Sequence, residues 1–150
     1  MTSLTDKYVS LYINKKLKNP LLGIKFMEFN VEVEDQLIEN LSLPEGVTKS
    51  IISTDEYMEV IEYEYNNLDI FAVVPRKGFG IIVSDKKEIF IEKLNKAIRK
   101  AKKRAKKYSV DGKVCVPYKS YLTREIEINC LSEEEYISSE IVNIIAEFYL

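Results

Sequence analysis

Between Lys93 and Lys107 the chain carries nine cations and no acid: Lys93, Lys96, Arg99, Lys100, Lys102, Lys103, Arg104, Lys106 and Lys107. The 150 residues hold 22 Lys and Arg against 24 Asp and Glu. Setting the nine aside leaves 13 cations against 24 acids, so the remainder carries about −11. A positive element on an acidic body meets phosphate or an acidic protein surface. Lys96, Lys100, Lys103 and Lys107 also stand three or four residues apart, where like charges on a helix cost a few tenths of a kcal/mol per pair. A helix selected for stability alone would intersperse Glu. The expectation is therefore a partner.

Nine cations on one element release several counterions when they meet phosphates, giving steeply salt-dependent, sequence-tolerant binding. The first reading is a small non-catalytic nucleic-acid-binding protein, an accessory or regulatory component that uses residues 93–107. DNA against RNA, and strandedness, stay open. The second is a protein-interaction module that docks an acidic or nucleic-acid-binding partner. The plain alternative is a solvated helix whose charge is balanced by the Glu-rich strands beside it.

The acids form a second constellation. If Asn66-Asn67 is a tight turn, Glu64 lies opposite Asp69, with Glu62 on the same face. Further on, Asp85-Lys86-Lys87 has the form D-x-K. A strand Asp in Leu68–Val74, a D-x-K after the strand Ile81–Val83 and the basic helix resemble, in order, the layout of PD-(D/E)xK nucleases and archaeal Holliday-junction resolvases. These segments cover about a third of the chain. The resemblance implies Mg²⁺ on Asp69 and Asp85 and an attacking water positioned by Lys87. The Pro that precedes the first Asp in that family is missing. A four-residue turn would pair Asp69 with Ser84 and send Asp85 to the opposite face; only a five-residue or bulged turn brings the two together. This nuclease reading stands third, and the leading expectation is no catalysis, no metal and no cofactor.

Histidine is absent and there are two cysteines, Cys115 and Cys130. That removes Ser-His-Asp and Cys-His catalysis, imidazole bases and zinc sites of the Cys2His2 or Cys3His type. The two thiols read as reduced core residues of apolar strands. Arg76-Lys77-Gly78-Phe79-Gly80 lies between strands, so it lacks the context of a phosphate loop. Apolar residues make up 46% and charged residues 31%, a globular balance. No run reaches the roughly 18 apolar residues of a membrane helix, and the N-terminus lacks the layout of a signal peptide. The expectation is a cytoplasmic protein with no membrane association. Abundant Lys, Glu and Ile give the composition a thermophile-like cast.

These residues need elements to hold them. Leu4, Tyr8, Leu11 and Tyr12 share a face of a helix over 3–17, which Pro20 closes. Residues 25–33 alternate as a strand with one wet side, and 36–43 suit one or two helical turns. Residues 56–65, 68–74 and 79–83 form a three-strand meander within 56–84, its last two strands apolar on both faces. Ile91, Leu94, Ile98, Ala101, Ala105 and Tyr108 define the buried stripe of a helix over 89–108. Residues 113–118 and 124–130 make a second hairpin. Ser132 with Glu135 opens a helix over 132–149 as a capping box. Its apolar end, Phe148-Tyr149-Leu150, suits a docked terminus or a homo-oligomer contact. The sum is a single α+β domain of about six mostly antiparallel strands and three helices.

Overall fold

In this computed structural model residues 4–28, 41–77, 80–119 and 125–149 are described. Among them are three helices and eight strands, an α+β fold. Helix α1 (Leu4–Lys18) precedes β1 (Ile24–Glu28), β2 (Thr48–Thr54), β3 (Met58–Tyr65), β4 (Leu68–Pro75) and β5 (Gly80–Ser84). Helix α2 (Lys87–Lys107) follows, then β6 (Ser109–Val110), β7 (Lys113–Lys119), β8 (Ile126–Ser132) and α3 (Glu133–Tyr149). The first five strands form one antiparallel sheet in the order β1-β5-β4-β3-β2, and the last three form a second in the order β6-β7-β8.

The meander β3-β4-β5 is present, and its first turn works as the residue types require. Asn66 and Asn67 both sit at positive φ, 48° and 63°, where asparagine is tolerated and a two-residue hairpin closes without splaying. Two strands exceed the expected number. β2 has no alternation to betray it and is exposed along its whole length at the sheet edge. β6 is two residues long, too short for any periodic signal.

Strands β4 and β5 are buried on both faces, as their continuous apolar runs demand. One face carries Ile61, Tyr63, Ile70, Ala72, Ile81 and Val83 against Tyr8, Val9, Tyr12 and Ile13 of α1. The other carries Met58, Val60, Phe71, Val73 and Ile82 against α2 and α3. Two buried carboxylates pin α1 to its face. Asp6 accepts from Tyr63 Oη at 2.6 Å and from Lys49 Nζ at 3.0 Å. Asp85 lies 2.9 Å from Lys16 Nζ and 3.2 Å from Tyr12 Oη. Burial first, and the neighbouring carboxylate second, push both phenols well above the usual tyrosine range.

Helix α2 is turned slightly from the expected stripe. Its buried residues are Phe90, Leu94, Ala97, Ala101 and Ala105, while Ile91 and Tyr108 are exposed and Ile98 is half-buried. Spacings of four, three, four and four follow the 3.6-residue period, and the three alanines let the helix lie close to its neighbours. Ser138 of α3 is buried beside β3 and β4. Its Oγ donates to the Tyr57 carbonyl at 2.7 Å and accepts from the Lys77 N–H at 2.8 Å.

The second sheet departs further from expectation. Val114, Val116 and Leu131 turn toward the core, so the opposite parity faces outward. Ile126 and Ile128, expected on a buried face, are exposed. Cys115 and Cys130 face each other across β7 and β8 with Cα atoms 4.1 Å apart and form a disulfide, not a pair of reduced core thiols. The second half of the 25–33 strand, the start of the 36–43 turn and the apolar side chains of 148–150 lie outside the described residues.

Candidate nucleic-acid interface

The same period that buries Ala97, Ala101 and Ala105 assigns the cations their place. At 100° per residue the nine fall within an arc of about 200° on the side of α2 away from the core. Lys96, Arg99, Lys100, Lys102, Lys103, Lys106 and Lys107 are exposed, and Lys93 and Arg104 are half-buried. The charged stretch runs about 21 Å along the axis at 1.5 Å per residue. Arg104, Lys106 and Lys107 occupy the last turn, where the helix dipole favours cations and offsets part of their mutual repulsion.

Part of this arc is engaged by neighbours. Arg104 Nη1 lies 3.3 Å from Glu140 Oε2 of α3, joining the two helices. That pair sits beside Tyr136, whose phenol burial, first, and Glu140, second, push upward while Arg104 pulls it down. Lys102 and Lys107 place their ammonium groups 5.6 and 5.4 Å from the ring centres of Tyr57 and Tyr108. Lys96, Arg99, Lys103 and Lys106 make no hydrogen bond or ion pair with any described residue. No described acid, the glutamates of β3 included, lies within ion-pair distance of these four cations. Glu62 and Glu64 of β3 gather with Asp69.

The residues of the nuclease layout are not brought together. Phe71 pairs with Ser84 and Ala72 with Val83, which puts Asp69 and Asp85 on opposite faces of the sheet. Asp85 is turned to α1 and its side chain is 7% exposed, held by Lys16 and Tyr12. Asp69 sits on the α2 face, opposite Glu64. One carboxylate oxygen each from Glu62, Glu64 and Asp69 lies within 4.8 Å of the others. Lys87, at the start of α2, goes with this group: its ammonium is 5.6 Å from the ring centre of Phe71, and its charge acts on Glu62. Burial, a hydrogen bond with Glu64 and the Asp69 charge raise the Glu62 carboxyl above its ordinary value, with Lys87 opposing them. The Asn66-Asn67 turn made the facing of Glu64 and Asp69 readable in advance. Nothing local announced the capture of Asp85 by α1, because Lys16 is 69 residues away in sequence.

Neither a protein-family model, nor a curated protein, nor a solved structure matches this chain. Among the described residues no helix is long and apolar enough to cross a membrane.

Proposed function

We propose that the protein binds nucleic acid through the solvent face of α2, as a non-catalytic accessory or regulatory component. The observation that carries this reading is the set of exposed cations, four of them without a partner among the described residues, on a helix whose other side is seated in the core. A cationic face seated on a rigid body meets a phosphate backbone without first paying to order itself. Arg and Lys supply nearly all of its donors, which suits the repeated phosphate oxygens of a backbone. Binding should be tolerant of sequence. Docking of an acidic protein would use the same arc, and competition by polyglutamate at moderate salt separates that outcome from this one.

The test is fluorescence anisotropy with short labelled oligonucleotides over a range of salt. If six phosphates are engaged, log K falls against log salt with a slope of about −4 to −5. Replacing Lys96, Arg99, Lys103 and Lys106 together by Glu leaves the core untouched and should abolish binding while the thermal midpoint stays near that of the wild type. Retained affinity in that variant defeats the reading.

A further inference from the structure

Resting on the α2 reading, we propose that the ligand is single-stranded nucleic acid, its phosphates on α2 and its unpaired bases on Tyr108 and the outer face of β6-β7-β8. Tyr108 caps the C-terminal end of α2 and is 42% exposed, with Lys107 Nζ 5.4 Å from its ring centre. The chain passes from there straight into β6. Val110 pairs with Lys113, Cys115 with Cys130 and Pro117 with Ile128, so the side chains of these residues share the outward parity. Val110, Ile126 and Ile128 are 62, 73 and 75% exposed on that face, and Pro117 and Lys113 are exposed with them.

Single exposed isoleucines need no explanation, but an apolar sheet face of this kind marks an interaction surface. Its occupant must suit both parts of the surface, cations at one end and flat apolar area at the other. A single strand has that chemistry: an anionic backbone and bases whose faces are free to stack. In a duplex the bases are stacked on one another, so a duplex would use α2 alone and leave Tyr108 and the isoleucines in water. The ammonium of Lys107 over the Tyr108 ring places a phosphate-binding group next to a stacking one, the juxtaposition that single-strand platforms use.

The experiment compares a short labelled oligothymidylate with a duplex of equal length, in wild type, Tyr108→Ala, Tyr108→Phe and Ile126→Ser/Ile128→Ser. The single strand should bind more tightly than the duplex. Tyr108→Ala should weaken the single strand by about 5- to 150-fold, the worth of one stacked base, leave the duplex unchanged and keep the salt slope. Tyr108→Phe keeps the ring and should retain affinity. The isoleucine pair lies outside the core, so its variant reads the sheet face even where Tyr108→Ala folds poorly. Equal or tighter binding of the duplex, or single-strand affinity unmoved in both Tyr108→Ala and the isoleucine variant, overturns this inference and leaves the α2 reading in place. Loss of the α2 reading looks different, since the four-Glu variant then retains whatever affinity the wild type has.

Discussion

Lys16→Met is the perturbation that most directly separates a structural role for Asp85 from a chemical one. Lys16 Nζ lies 2.9 Å from Asp85 Oδ2, with the two side chains 14 and 7% exposed, and it also donates to the Leu22 carbonyl. Met fills the place of the aliphatic stem but leaves a carboxylate under α1 with Tyr12 as its remaining side-chain donor. Removing one partner of a fully buried pair costs about 3–5 kcal/mol, and the residual exposure of Lys16 brings the expected loss to about 2–4 kcal/mol. With a urea slope of about 2 kcal/mol per molar, the midpoint should fall by about 1–2 M in a circular dichroism titration. Lys16→Met/Asp85→Asn removes the stranded charge, keeps an acceptor for Tyr12 and should recover at least half of that loss, a coupling that a double-mutant cycle reads directly. A single variant that unfolds at the wild-type midpoint refutes the reasoning. So does a double variant whose loss is the sum of the two singles.

Ala101→Leu should lower stability by about 1–3 kcal/mol, because the position is fully buried on the core side of α2 and extra methylenes have no space; Ile98→Ala, half-buried, should cost less than a fully buried Ile would, and an Ala101→Leu variant as stable as the wild type would show that α2 is not seated on its alanines. Glu62→Gln should stabilise the protein at neutral pH. The folded-state carboxyl is raised by burial and by its acidic neighbours, so its charge opposes folding above that raised value and the penalty disappears as pH falls through it. Thermal melts should show the variant's advantage shrinking on acidification, and an advantage independent of pH would remove Glu62 from the account. With Mg²⁺ or Mn²⁺ we expect no cleavage of plasmid, single-stranded or branched DNA that depends on both Asp69 and Asp85, since they occupy opposite faces. Cleavage lost in Asp69→Asn and Lys87→Ala but kept in Asp85→Asn would instead assign hydrolysis to the Glu62, Glu64 and Asp69 group.

Much of this molecule is legible from short stretches of chain. The β3-β4 hairpin follows from alternation on either side of two asparagines that accept positive φ. The capping box of α3 is visible as Ser132 and Glu135, whose N–H reaches Ser132 Oγ at 3.2 Å. The two-sided burial of β4 and β5 is announced by their unbroken apolar runs, and the cationic face of α2 by composition alone. Each signal is complete within a turn or two of chain, because hydrogen bonds, φ preferences and periodicity act between near neighbours.

What the tertiary structure decided is which side of each element turns inward. A strand pattern fixes that two faces alternate but not which one meets the core, and one step of parity exchanges them. In β8 the obvious apolar set, Ile126, Ile128 and Cys130, faces out because Val114, Val116 and Leu131 are the residues that meet the helices. For α2 a small rotation exchanges Ile91 for Phe90 and Ala97, while Tyr108, on the azimuth of Phe90 but past the last helical residue, stays exposed beside the last cations. Asp85 is taken out of its D-x-K by a lysine from the first helix, a contact across 69 residues that no local pattern encodes. Charge and periodicity were in the chain; the choice of faces came from layers packing against one another, where the burial of one surface obliges its opposite to meet water or a partner.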